Sequence, residues 1–435
     1  MVVSPPRSDS EREESVEITA MGGGGDGLGR LADGQVVFVR GALPDEQVRV
    51  EVACGRDFAR GRMIAIERGA PDRVAPPCPA VAEGCGGCDW QHLRPEAQVR
   101  HKRLMVVDAL RRIGKVVDAE FLVSADPPLP SVGYRTTVRV RTTADGRAGF
   151  RAHSSHRVVP IPPSGCLIAH PTLGASLQER LPPNAEFQFR SSIATGRVVR
   201  SEAETGPDRT RAERTRATDT RRGGPSVSEP LMEVVAGASF QVSPASFFQT
   251  RPDGAERLVQ VVGDALTESL PDRRAGAQAA NRLRTTLVDL YGGVGLFSAT
   301  IGRRADRVVL VERSSSAVGD ARRNLARLRQ TGTEVDIIEA DVDHWRPSPA
   351  FSGHVITIAD PARGGLGRAG VATIVACRGA KLVLISCDGA SLGRDAALLI
   401  AHGYRLSGST VVDLFPHTPH VEVVSVFDPV GSLPT

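Results

Sequence analysis

The sequence predicts a multi-domain α/β protein with an N-terminal OB-like β-barrel, a β-rich central region carrying a cysteine cluster, and a C-terminal Rossmann-like sheet. Three observations predict it. Short alternating apolar segments open the chain, three close cysteines follow them, and after Phe240 continuous apolar runs alternate with helical stretches. At 435 residues the chain exceeds what one core usually supports, so two or three domains are expected. The expected boundaries are a barrel over 14–70, a central domain over 71–235 and a cofactor domain over 236–435.

The barrel is read from Val16-Glu17-Ile18, Gln35-Val36-Val37-Phe38-Val39, Gln47-Val48-Arg49-Val50-Glu51-Val52 and Arg62-Met63-Ile64-Ala65-Ile66, separated by glycine- or proline-bearing turns. The glycine run from Gly22 to Gly25, with Gly27 and Gly29, reads either as a flexible loop or as a grip on RNA. An amphipathic helix is expected from about Pro95 to Ile113, with Val99, Leu104, Val107 and Leu110 on its apolar face. A second β-rich stretch covers roughly Arg135 to Val199. Residues 203–228 carry six arginines and almost no large apolar side chain, so a disordered insertion is expected there, either solvated or contacting RNA.

The C-terminal sheet is read from Thr286-Leu287-Val288-Asp289-Leu290, Arg307-Val308-Val309-Leu310-Val311, Val335-Asp336-Ile337-Ile338, Val355-Ile356-Thr357-Ile358 and Lys381-Leu382-Val383-Leu384-Ile385-Ser386. These are buried parallel strands by pattern, and a doubly wound sheet binds its ligand outside their carboxyl ends. There the first strand meets the turn Asp289-Leu290-Tyr291-Gly292-Gly293-Val294-Gly295. Twenty-three positions beyond Asp289, Glu312 is placed to bind two ribose hydroxyls. A nucleoside cofactor follows, although a nicotinamide enzyme shares the spacing. Ser298 replaces the third glycine of the dinucleotide fingerprint, which weakens the dehydrogenase reading. Asp341 and Asp360 reach the same edge, either for the cofactor or as caps of the following helices.

Charge and composition exclude little. The net charge of +4 is too small to declare a nucleic-acid partner, although arginine greatly outnumbers lysine. No apolar stretch could span a bilayer, and the polar, proline-bearing first ten residues predict no secretory signal. A cytoplasmic location, no membrane partner and a monomer are expected. In a reducing compartment seven cysteines argue for metal, catalysis or packing before disulfides. Cys54 and Cys377 fit core packing. Cys78, Cys85 and Cys88 with the distant Cys166 could hold an iron–sulfur cluster or zinc, or remain free thiols.

Cys387 closes a sheet strand at the catalytic edge, where a nucleophile would stand. Downstream, Asp413-Leu414-Phe415-Pro416-His417-Thr418-Pro419-His420-Val421-Glu422 joins two strands. His417, His420 and Glu422 could ligate a metal but lack helical ligand spacing, so Glu422 is better read as a base. Carbon 5 of uracil attacks a sulfonium methyl only after activation. A thiolate adding to carbon 6 supplies it, and a base then removes the carbon 5 proton. Cys387 and Glu422 match these roles.

Together with Asp360-Pro361-Ala362-Arg363, Phe247-Phe248-Gln249 and Ser386-Cys387-Asp388, the segment from Phe415 to Glu422 resembles the RNA 5-methyluridine (uracil-C5) methyltransferase family. The likeness runs from the barrel onward. It implies a TRAM domain for the barrel, a class I methyltransferase fold and S-adenosylmethionine as cofactor. It also implies cofactor contacts from Gln249, Tyr291, Glu312, Asp341 and Asp360, with Cys387 as nucleophile and Glu422 as base. Cys88-Asp89-Trp90-Gln91-His92 and Ser164-Gly165-Cys166 resemble the segments of members that bind a four-iron cluster, which implies a 4Fe–4S cluster on Cys78, Cys85, Cys88 and Cys166. Four positions depart from the pattern: Arg251 and Asp388 where Asn is frequent, Gly389 where Pro is, and Gly292 where Cys is. Barrel plus cluster favours 23S rRNA as substrate over tRNA. A non-catalytic RNA-binding redox sensor and a small-molecule methyltransferase are the competing classes; the first has no use for Cys387, and the second none for the barrel.

Overall fold

The computed structural model describes residues 12–203, 215–219, 229–270, 284–348, 351 and 353–431. The chain opens with β1 (Arg12–Met21), β2 (Gly27–Arg30), β3 (Val36–Val39), β4 (Gln47–Cys54) and β5 (Ala59–Arg68), which close into a barrel in the order β1-β2-β3-β5-β4. Alternation drives closure, because Val16, Ile18, Val37, Val39, Val48, Val50 and Val52 all face one small core. The glycine-rich stretch contributes β2 rather than loop alone. A Cβ at Gly29 would sit 2.5 Å from Val16 Cγ1 and 2.6 Å from the Glu17 carbonyl, so glycine lets β2 lie tight on β1. Cys54 is exposed, contrary to the packing expectation, whereas Cys377 is buried.

Next come α1 (Pro95–Arg112), α2 (Ala119–Leu122) and β6 (Val123–Ala125). The expected helix forms, but its buried face differs from the apolar reading. Leu104 is 45% exposed, while Gln98, His101 and Lys102 are buried with Val106, Val107 and Leu110.

The central sheet is antiparallel and uses β7 (Thr137–Thr142), β8 (Ala148–Arg151), β9 (Val158–Pro160), β10 (Glu186–Ser191), β11 (Val198–Ala203) and β12 (Thr215–Asp219), with α3 (Gly174–Gln178) packed nearby. Its order is β12-β11-β10-β7-β8-β9. Part of the expected disordered insertion is therefore a strand, since Val199 to Ala203 pair with Asp219 to Thr215. Backbone pairing to an edge strand requires no apolar side chain. The rest of 203–228, apart from Ala203 itself, lies outside the described residues.

A hairpin of β13 (Leu231–Val235) and β14 (Ala238–Val242) leads to α4 (Pro252–Ala265). Then follow β15 (Thr285–Leu290), α5 (Leu296–Thr300), β16 (Arg307–Glu312), α6 (Ser315–Asn324), α7 (Ala326–Gln330) and β17 (Glu334–Glu339). The chain finishes with β18 (His354–Ala359), α8 (Gly367–Cys377), β19 (Lys381–Ser386), α9 (Gly389–Ala401), β20 (Tyr404–Val411) and β21 (Val423–Pro429). The eight-stranded sheet runs β17-β16-β15-β18-β19-β21-β20-β6. Its first five strands are mutually parallel, and β21 pairs antiparallel to both β19 and β20.

Alternate residues feed two cores. Leu287, Leu310, Ile356 and Val383 pack with α4 and α5 on one face, while Val288, Val309, Val355 and Leu384 pack with α8 and α9 on the other. Each fully buried Val, Leu or Ile contributes about 1.5–3 kcal/mol. Parts of 71–235 belong to this sheet instead of to the central one. Val106, Val107 and Leu110 of α1 join the second core, β6 pairs with β20, and Val235 joins the first core. Amphipathic pattern shows that a face is buried, not against which sheet. Among the described residues, no helix is long and apolar enough to cross a membrane.

Candidate active site and cysteine cavity

Register brings the candidate site residues to one edge of the sheet. The pairs Leu290 with Ala359 and Ser386 with Val423 are the last rungs before the sheet edge. Tyr291 and Asp360 directly follow the first pair, Cys387 and Glu422 directly flank the second, and the Glu422 and Asp360 charges both act on the Cys387 thiol. Glu312 ends β16, and Asp341 follows β17. With strands about 4.8 Å apart, the row from Glu312 to Glu422 spans roughly 19 Å. That suits a nucleoside cofactor at one end and a nucleobase at the other. Gln249 is half-buried on the loop after β14, and Arg251, two residues on, reaches the Leu414 carbonyl at 3.5 Å.

The glycine turn is tied to the end of β16. Glu312 Oε2 accepts from the Gly293 N–H at 3.1 Å and Oε1 from the Ser314 N–H at 2.7 Å, which fixes the carboxylate across the turn. Tyr291 holds φ +59° and its hydroxyl donates to Asp343 Oδ1 at 3.2 Å. Asp341 Oδ1 accepts from the Asp343 N–H at 3.1 Å in a turn, and the following α8 is preceded by Leu366. Neither Asp341 nor Asp360 is therefore a helix cap. At Gly292 a Cβ would meet Leu310 Cγ at 2.6 Å, so this chain has no room for the cysteine that is frequent there.

Electrostatics separate the two chemical groups from solvent-like behaviour. Burial and the neighbouring Glu422 and Asp360 carboxylates push the Cys387 thiol up to about 11, and Arg363 opposes them. Burial and the Asp360 charge hold Glu422, 5% exposed, well above the usual carboxylate range. Asp388, another departure, caps α9 by accepting from the Ser391 N–H at 2.9 Å. It also lies 3.8 Å from Arg363 Nε. His420 is exposed, and among the described residues no three His, Cys, Asp or Glu side chains converge on a single-ion site.

Sequence reasoning passed over several residues that shape this site. Asp289 is 1% exposed; its Oδ2 accepts from Ser298 N–H and Oγ at 3.0 and 2.6 Å, while Oδ1 has no partner. Lys102 and Gln98 reach the Glu422 loop from α1, and their only signal was polarity on a helix face otherwise apolar. Arg251 stood out only as a departure, yet it is 1% exposed, lies 4.4 Å above the Tyr134 ring and donates to the Pro130 carbonyl at 2.7 Å.

Cys78, Cys85, Cys88 and Cys166 line one cavity with Phe150, Val159, Ile161 and Ile168. None of the four is in a disulfide. Burial pushes Cys85 and Cys166 up and Cys88 up to about 12, and each thiolate would raise its neighbours further.

Comparison with known proteins gives the family. The TRAM domain family matches residues 11–64. An RNA methyltransferase of Streptomyces avermitilis is 33% identical, over 96% of this chain and 98% of its own length. The 23S rRNA (uracil(1939)-C(5))-methyltransferase RlmD of Methylococcus capsulatus is 32% identical, over 91% of this chain and 93% of its own. This chain belongs to the RNA uracil-C5 methyltransferase family. The family fold is seen in the tRNA (uracil-54, C5)-methyltransferase of Pyrococcus abyssi, at a TM-score of 0.67 and 21% identity, over 95% of this chain and all of that one. As a uracil-C5 methyltransferase the chain is a TRAM-domain enzyme that takes its methyl group from S-adenosylmethionine. Two features suit that cofactor: Asp289 Oδ1 is a buried acceptor without a partner on the strand that leads into the glycine turn, and nothing lies within 4 Å of a Cβ built on Gly293.

Proposed function

We propose that this enzyme methylates carbon 5 of a uridine in 23S rRNA through a covalent adduct between Cys387 and carbon 6, with Glu422 as the base. The observation that carries the proposal is that Cys387 and Glu422 are the residues directly flanking the last β19–β21 pair, Ser386 with Val423, and that the Glu422 charge acts on the Cys387 thiol. Tyr291, Glu312, Asp341 and Asp360 stand at or just beyond the neighbouring strand ends, which suits contacts to the cofactor's ribose, adenine and methionyl parts, with Gln249 as a further proposed contact. When bound, S-adenosylmethionine supplies an electrophilic methyl group.

The Cys387 thiolate bonds to carbon 6, and the displaced π electrons make carbon 5 nucleophilic. Carbon 5 would then take the methyl group as its bond to the sulfonium sulfur breaks, with S-adenosylhomocysteine as the leaving group. Glu422 then removes the remaining carbon 5 hydrogen as a proton, the carbon 5–carbon 6 double bond re-forms and the sulfur leaves as thiolate. A carboxyl group raised in this way is the stronger base once ionised. The large-subunit rRNA assignment rests on the relative from Methylococcus, whose name specifies that RNA. The barrel is proposed as an RNA-binding arm, and the enzyme as a cytoplasmic monomer.

Cys78, Cys85, Cys88 and Cys166 would hold a 4Fe–4S cluster. Four thiols around one apolar cavity suit a group larger than a single ion, and its iron charge would offset thiolates that burial otherwise disfavours. Its role is a structural staple between 78–88 and the loop after β9. The enzymatic proposal is tested by incubating the full chain with methyl-labelled S-adenosylmethionine and unmodified 23S rRNA or tRNA transcripts. Label in 5-methyluridine of 23S rRNA is expected; none in either RNA contradicts the reading, and label in tRNA alone replaces the substrate.

A further inference from the structure

The loop that delivers Glu422 is irregular, and much of its support comes from outside. At its base, the Val412 N–H donates to the Glu422 carbonyl at 2.8 Å. Beyond that rung, Lys102 Nζ donates to Asp413 Oδ1 at 2.6 Å and to the Phe415 carbonyl at 2.9 Å. Lys102 is 0% exposed and lies 5.9 Å from the centre of the Trp90 ring. At the apex, Gln98 Oε1 accepts from the His417 N–H at 2.6 Å, and the Trp90 N–H donates to the His417 carbonyl at 2.9 Å. Gln98 Nε2 donates to the Leu93 carbonyl at 2.7 Å, which locks its amide in place. His417 is held at φ +66°, a conformation that a non-glycine residue keeps only where its surroundings over-determine it.

Stability alone does not require this arrangement. A buried ion pair can be replaced by apolar side chains with little loss, and α1 already packs an apolar face at Val106 and Leu110. What the polar ties provide is a single loop geometry, one rung from the nucleophile. We propose that Lys102 and Gln98 are positioning residues for the proton-removal step, setting the loop that aims Glu422 at carbon 5. The inference rests on the roles proposed above for Cys387 and Glu422. It predicts that loosening the loop spares formation of the covalent adduct and slows its release, because only release needs the base.

Two full-length variants test this: Gln98→Ala, and the double variant Lys102→Met with Asp413→Leu, which leaves no unpaired buried charge. Each is incubated with S-adenosylmethionine and a 23S rRNA transcript containing uridine or 5-fluorouridine, and covalent protein–RNA adduct is resolved on denaturing gels. Fluorine replaces the hydrogen that must leave, so the fluorinated RNA reports every step before the base acts. Adduct on fluorinated RNA is expected within about twofold of the unaltered enzyme, while release from uridine RNA slows by about tenfold or more and methylated adduct accumulates. Parallel loss of adduct and turnover, or unchanged release, overturns the inference while leaving the covalent mechanism intact. Failure of the unaltered enzyme to form adduct on fluorinated RNA overturns both.

Discussion

Cys387 is half-buried between carboxylates, so at neutral pH its resting form is the neutral thiol. The thiolate, not the thiol, attacks, and its population rises about tenfold per pH unit below a raised pKa. Alkylation of the Cys387 peptide by iodoacetamide, followed by mass spectrometry, should therefore accelerate steadily from about pH 7 to pH 10. A plateau reached below pH 8 would contradict the burial and charge argument. Cys387 was legible as a candidate because an apolar strand ends just before it, and Glu422 because its segment carries the family motif. Asp289 was legible only as a strand end, since no sequence pattern reports that one carboxylate oxygen is left without a partner.

Among the elements, α1 differs most between pattern and structure. Its helical span is readable from Pro95 and the apolar spacing, but Leu104 faces solvent while Lys102 is buried against Asp413. A periodicity argument assigns lysine outward, and only the distant partner reverses that assignment. Removing one member strands the other in the interior, so Lys102→Met should cost about 3–5 kcal/mol in urea unfolding, and adding Asp413→Leu should restore most of it. A single variant as stable as the parent would show that the pair is solvated. The β2 strand was hidden for a different reason: glycine usually signals a loop, yet Gly29 is needed where Val16 and the Glu17 backbone leave no room for a Cβ.

Across the molecule, the order of barrel, central sheet and cofactor sheet follows the sequence blocks, but their membership does not. β6 and the core of α1 join the C-terminal sheet across a long sequence gap, which local patterning cannot encode. The four cysteines behave differently: the distant Cys166 was already grouped with Cys78, Cys85 and Cys88 from the sequence, and the fold brings all four to one cavity. Anaerobically reconstituted protein should hold about four irons per chain, and Cys88→Ser should lose them together with the visible absorbance. Stoichiometric zinc with no iron would replace the cluster assignment.

The covalent mechanism is decided by trapping the enzyme on 23S rRNA transcribed with 5-fluorouridine, in the presence of S-adenosylmethionine, and sequencing the RNA-linked peptide. The expected peptide carries the nucleotide on Cys387, and Cys387→Ser yields no adduct and no methylated RNA. Attachment at another residue, or methylation by Cys387→Ser at the rate of the unaltered enzyme, would contradict a nucleophilic role for this thiol.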